Sequence, residues 1–81
     1  MCGIVLTEIP VADPLATGQR IDELRVAKGL SRRELSDLLG FSSPASVYKW
    51  KDGDNMPSID NLIILAKIFD TTLDDIVRTK K

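Results

Sequence analysis

Apolar residues recur along this chain at intervals of three and four, in short bouts separated by glycine, serine, proline and asparagine. That rhythm predicts helices rather than strands. Ile21, Leu24 and Ala27 share one face of a first helix of about 18–28, with Thr17 placed to cap it and Gly29 to stop it. Ser31 and Glu34 form a capping box, each able to satisfy a free backbone amide of the other. They open a second helix whose Leu35, Leu38 and Leu39 make one apolar stripe before Gly40. Ser43 as cap and Pro44 at the first helical position start a third helix, because proline there forfeits no intrahelical bond, and Gly53 ends it. Asp54-Asn55-Met56-Pro57 is turn chemistry, after which Ser58 caps a fourth helix. Its Ile59, Leu62, Ile63, Leu65, Ala66 and Phe69 cover more than half the circumference, which places it in the middle of the fold. Thr72 and Asp75 offer a further capping pair for a short fifth helix, with Leu73, Ile76 and Val77 inward. Arg78, Lys80 and Lys81 then stand at its C-terminal end, where positive charge suits the helix dipole.

Segments this short leave no room for a parallel sheet or a long coiled coil. The expected fold is all-α, a compact five-helix bundle in which helices 2 and 3 form a helix-turn-helix. Its expected centre is Leu24, Leu35, Leu38, Val47, Trp50, Leu62, Ala66, Phe69 and Ile76. Residues 1–17 read as an N-terminal arm, extended or disordered, and residues 18–79 as the domain. Within the arm, Ile4-Val5-Leu6-Thr7-Glu8-Ile9, stopped by Pro10 and Pro14, has the composition of an extended segment that packs on the bundle or pairs with a second copy.

Composition narrows the function. With 81 residues, 43% apolar and 28% charged, the chain has the make-up of one small soluble domain, and no apolar run approaches the ~18 residues of a membrane span. Cys2 is the single cysteine and there is no histidine, so neither an intrachain disulfide nor a structural metal site is expected, and a reducing cytoplasm fits. No Lys or Arg precedes the leading apolar stretch, as a secretory signal would require. There is no Ser/His pair, no motif of paired carboxylates and no phosphate-cradling glycine loop, so neither catalytic residues nor a cofactor are expected. Cys2-Gly3-Ile4 does resemble the nucleophile end of glutamine amidotransferases, but nothing accompanies it that could form an oxyanion hole, and the match is read as coincidence.

Net charge is −1, which gives no whole-molecule attraction to nucleic acid. Its distribution is uneven: residues 1–15 carry −2, residues 16–53 carry +2 and residues 54–81 carry −1. The positive excess therefore lies in the part that contains the joint between helices 2 and 3.

On the third helix the phases separate. Val47 and Trp50, three apart, lie on one side, whereas Ala45 and Lys49, four apart, lie on the other with Ser46, Tyr48 and Asp52 beside them. A small, polar, singly basic face lets a helix approach base edges. Serine hydrogen-bonds to several bases, alanine touches a thymine methyl, and lysine reaches guanine acceptors or phosphate. Without its neighbours the same face would read as solvated surface.

From Thr17 to about Arg78 the order of residues resembles the lambda-repressor-like, Xre-type helix-turn-helix family. The resemblance rests on Arg20-Ile21-Asp22-Glu23-Leu24-Arg25, Lys28-Gly29-Leu30-Ser31, Glu34-Leu35-Ser36-Asp37-Leu38-Leu39-Gly40-Phe41-Ser42, Val47-Tyr48-Lys49-Trp50 with Gly53, Pro57-Ser58-Ile59-Asp60-Asn61-Leu62 and Leu65-Ala66. It implies a five-helix domain that binds double-stranded operator DNA, usually as a homodimer on a palindrome, in a small bacterial or prophage transcriptional regulator. Ser43, Ala45, Ser46 and Lys49 are then the expected base contacts, and Arg20, Arg32, Arg33, Tyr48 and Lys51 the expected sugar-phosphate contacts.

Three positions depart from the family pattern. Arg32 stands where a glutamine commonly bridges a phosphate and a side chain, and reads as a pure phosphate ligand. Lys51 replaces a usual glutamate, adding positive charge. The Gly40 to Val47 interval is one residue longer than the common form, which bears on the register of base contact. An alternative of another class is an antitoxin or adaptor whose fourth and fifth helices bind another protein. Asp70, Asp74 and Asp75 would turn that end away from phosphate, although acids there also serve simply to cap and solubilise a helix.

Overall fold

Helix α1 begins four residues earlier than its apolar spacing suggested, because Asp13 rather than Thr17 is the cap. The computed structural model describes residues 11–80. Within them α1 spans Pro14–Ala27, α2 Arg32–Leu38, α3 Ala45–Asp52, α4 Ile59–Phe69 and α5 Leu73–Ile76. Asp13 Oδ1 accepts from the Ala16 amide at 3.1 Å and Pro14 takes the first helical position. The boundary expected after residue 17 thus falls inside α1. The expected arm segment Ile4–Ile9 and Cys2 lie outside the described residues.

The caps of α2 and α4 follow the residues that announce them, whereas α3 has Pro44 rather than Ser43 as its N-cap and starts at Ala45, one residue later than expected. Ser31 and Glu34 make the full capping box, with the Glu34 amide donating to Ser31 Oγ at 3.0 Å and the Ser31 amide to Glu34 Oε1 at 2.8 Å. The Ser31 amide, and after it the Ser31 hydroxyl, favour the ionised Glu34 carboxyl and hold it below its usual range. Ser58 Oγ accepts from the Asn61 amide to open α4. Pro44 falls just before α3, its carbonyl accepting from the Tyr48 amide at 3.1 Å, and Ser43 Oγ accepts from the Ala45 amide at 3.4 Å. Gly53 closes α3 at φ +80°, a left-handed conformation that side chains other than glycine rarely adopt. Asp70 plays the same part for α4 at φ 54°. Its short polar side chain makes that conformation more tolerable than most residues would.

The expected positive tail of α5 is a strand instead. Val77 turns extended, and β2 (Thr79–Lys80) pairs antiparallel with β1 (Val11–Ala12), Ala12 opposite Thr79 and Val11 opposite Lys80. The buried Thr17 hydroxyl secures this clasp, accepting from the Arg78 amide at 3.0 Å and donating to the Arg78 carbonyl at 3.4 Å. Asp13 adds an amide bond of 2.7 Å to the same carbonyl.

Ile21, Leu35, Leu39, Val47, Trp50, Leu62, Leu65, Phe69 and Ile76 form the core, with Leu24 and Ala66 packed at its margin. Leu38, expected inside, is 56% exposed, and Leu39 takes its place. Leu35 and Leu39 are four apart and stack on one face of α2, which turns the intervening Leu38 aside. Full burial of each large apolar side chain contributes about 1.5–3 kcal/mol, against roughly 0–1 for an exposed ion pair such as Arg33–Asp37. The core therefore sets the fold, and the surface charges are left to do other things.

Candidate nucleic-acid interface

Helix α3 is held from beneath and left bare on top. Val47 and Trp50 are 3% exposed, and the Phe41 ring meets Trp50 edge-on with centroids 5.8 Å apart. That contact fixes the turn between α2 and α3 to the core. Ser36, buried on α2, donates its hydroxyl to the Ser43 carbonyl at 2.7 Å, pinning the chain just before α3 begins. On the far side, α1 lies directly against α3: a Cβ on Gly18 would overlap the Trp50 carbonyl oxygen. Only glycine permits that approach.

With the inward flank so occupied, the outward flank carries Ala45, Tyr48 and Lys49, all exposed, and Ser46, half-buried, with Ser43 exposed at its approach. Ala45, Tyr48 and Lys49 therefore share the exposed side of α3, with Ser46 at its half-buried edge towards Trp50 and Ser43 just ahead of the helix. Lys51, half-buried, lies one turn on and pairs with Asp52 at 3.2 Å. Arg33 is 69% exposed at the second helical position of α2, with Asp37 a distant 4.0 Å away.

Two of the expected phosphate ligands are committed elsewhere. Arg20 donates through Nη2 to both carboxylate oxygens of Asp75 at 2.9 Å, through Nε to the Asp75 carbonyl at 3.0 Å, and through Nη1 to Glu23 at 3.2 Å. It is a clamp between α1 and α5, and its donors are turned to protein rather than phosphate. These bonds push the Arg20 pKa further up, Asp75 contributing most. They also hold the Asp75 carboxyl below its usual range, after the larger effect of the Thr71 hydroxyl at 2.7 Å. Asp75 thus completes only half of its expected capping box: its amide donates to Thr72 Oγ1 at 3.3 Å, but its carboxylate serves Arg20 and Thr71. Arg32, read from sequence as a pure phosphate ligand, pairs through Nη2 with Asp22 at 3.1 Å, and its guanidinium lies 5.1 Å from the centroid of the Tyr48 ring. Sequence spacing gave no sign of either partner, since Asp75 is 55 residues from Arg20 and the Tyr48 contact crosses two helices.

The helix-turn-helix family profile matches residues 21–76, from the middle of α1 through the last residue of α5. The chain belongs to the lambda-repressor-like helix-turn-helix family. This helix-turn-helix chain is 45% identical over 56 residues to a provisionally named HTH-type transcriptional regulatory protein of Pyrococcus furiosus, covering 69% of itself and 18% of that protein. It is 38% identical over 63 residues to the HTH-type transcriptional regulator AnsR of Bacillus subtilis, covering 76% of itself and 53% of AnsR. Among solved structures it is similar to the restriction-modification controller protein C.AhdI of Aeromonas hydrophila, at 34% identity and a TM-score of 0.71, covering 79% of itself and 96% of that chain. The chain spans about half or less of the length of the curated relatives it matches. Among the described residues, no helix of this helix-turn-helix domain is long and apolar enough to cross a membrane.

Proposed function

We propose that this helix-turn-helix domain binds double-stranded DNA sequence-specifically, as part of a small bacterial or prophage transcriptional regulator, with α3 in the major groove. The observation that carries the reading is the division of α3 into a flank buried through Val47 and Trp50 and a flank left exposed through Ala45, Tyr48 and Lys49. Ser43, Ala45, Ser46 and Lys49 read base edges, and Arg33, Tyr48 and Lys51 track phosphate. The role is one of binding rather than catalysis, in the cytoplasm. A homodimer would place two copies of α3 on a palindrome, about 34–36 Å apart. Ile59 and Ile63, exposed one turn apart on α4, give a second copy apolar surface to cover.

Selection of duplexes from a random-sequence pool by the purified protein tests the reading. A recurrent, palindromic motif is expected. Lys49→Ala should weaken binding to the selected duplex by about tenfold or more while leaving non-specific duplex less affected. Failure to enrich any motif, together with a stable complex formed through α4 and α5 with another protein, would support the adaptor reading instead.

A further inference from the structure

The tandem Arg32-Arg33 places two like charges side by side at the start of α2, and the fold treats them differently. Arg33 projects into solvent, 69% exposed, whereas Arg32 is drawn in: its side chain is 26% exposed and its Nε is buried without a hydrogen-bond partner among the described residues. Nη2 of Arg32 is 3.1 Å from Asp22 Oδ1 on α1. That same oxygen accepts from Arg25 Nε at 3.0 Å, and Arg25 Nη1 donates in turn to the Leu30 carbonyl at 2.6 Å. The carboxylate holding Arg32 is therefore itself fixed from the other side. Beyond it the Arg32 guanidinium lies over the Tyr48 ring, 5.1 Å from the centroid. Tyr48 is 46% exposed and belongs to the outward flank of α3.

We infer that Arg32 is a positioning residue: anchored by Asp22, it holds the Tyr48 ring in one orientation on the DNA-facing flank of α3, and Arg33 alone of the pair meets phosphate. The inference rests on the reading of that flank as the DNA surface. A tyrosine half in solvent on a helix otherwise samples several rotamers, and ordering it on binding has an entropic cost. A cation against the ring face removes that freedom before DNA arrives. A Tyr hydroxyl so oriented is one of the groups that hydrogen-bond phosphate oxygens. The relay runs Leu30, Arg25, Asp22, Arg32, Tyr48, and so ties the α1–α2 loop to α3.

Asp22→Asn separates positioning from simple charge. Removing a carboxylate beside the DNA face makes that face more positive, so electrostatics alone predicts tighter binding, as would freeing Arg32 to reach phosphate. Positioning predicts weaker binding. Affinity is measured for a duplex enriched from a random pool by the wild-type protein, across a salt series, using variants whose circular dichroism shows them folded. Asp22→Asn, Arg32→Met and Tyr48→Ala should each bind several-fold more weakly, and the Arg32→Met/Tyr48→Ala double variant no more weakly than Tyr48→Ala. Arg32→Met should leave the slope of log affinity against log salt unchanged, whereas Arg33→Ala should lower it by about one. Tighter binding by Asp22→Asn, a salt slope lowered by about one in Arg32→Met, or multiplying losses in the double variant would overturn the inference while leaving the DNA reading intact. If the wild-type protein enriches no duplex, the DNA reading itself fails and this role fails with it.

Discussion

Gly18 of α1 sits against the backbone carbonyl of Trp50 on α3 with no space for a side chain between them. The contact sets how deeply α3 is seated. A methyl group at position 18 would meet backbone, which cannot rotate away as a side-chain tip can. Overpacking of this kind costs about 1–3 kcal/mol and occasionally more. Gly18→Ala should therefore lower the unfolding free energy by about 2 kcal/mol in urea denaturation, the upper end of that cost less about 1 kcal/mol for alanine's better helix propensity. A variant as stable as wild type would show that the two helices are not in this register.

Thr17, next to Gly18 in α1, supplies the complementary test. Its hydroxyl bonds both the amide and the carbonyl of Arg78, so Thr17→Val keeps the shape and strips both partners. A loss of about 1–3 kcal/mol is expected, with faster hydrogen exchange at the Arg78 amide. Thr17→Ser should restore most of it. Protection at Arg78 unchanged in the valine variant would mean that the clasp does not depend on this hydroxyl.

Acid should weaken the fold through two carboxylates. Asp75 and Glu34 both have folded pKa values below their ordinary ones, from the Thr71 hydroxyl and Arg20 in the first case and the Ser31 amide and hydroxyl in the second. A depressed folded pKa means that the unfolded chain takes up protons first. The stabilisation is then fully present above the unfolded value, near 4, and fades as pH drops through the folded one. Asp75→Asn should accordingly be less stable than wild type at neutral pH and show a shallower loss on acidification below about pH 4. Parallel stability curves for the two proteins across that range would contradict the clamp.

Ser36 connects the fold to the interface. Its buried hydroxyl donates to the Ser43 carbonyl, immediately ahead of the residues expected to touch bases. Ser36→Ala should cost about 1 kcal/mol of stability and loosen the approach to α3. Binding to a selected duplex should weaken at temperatures where the variant is fully folded. Equal affinity would show that Phe41 against Trp50 suffices to hold the turn.

Much of this arrangement was legible in the sequence where the determinants are local. Ser31 with Glu34, Ser58, Gly53, and the three-residue interval from Val47 to Trp50 each encode their structure within one or two turns, and helix order and the orientation of α3 follow from them. What escaped depends on partners far along the chain. Thr17 looks like a cap because it precedes a helical run, yet Asp13 and Pro14 start α1 and the Thr17 hydroxyl is used by Arg78, 61 residues away. Arg20 looks like free positive charge until Asp75 is folded against it. The tail after Val77 carries no strand signal of its own, since two residues per strand pair only because α1 and α5 bring them together. Leu38 and Leu39 could not be distinguished on a helix of seven residues, where adjacent leucines compete for one buried place.

On the proposed function, DNA lies against the exposed flank of α3. Titration of the isotope-labelled protein with a selected duplex, followed by amide chemical-shift changes, tests it most directly. The largest changes are expected at Ser43, Ala45, Ser46, Tyr48 and Lys49 and at Arg33, with little change at Ile59, Ile63 and Ile64. Changes centred on those α4 isoleucines, with the α3 amides unmoved, would contradict it.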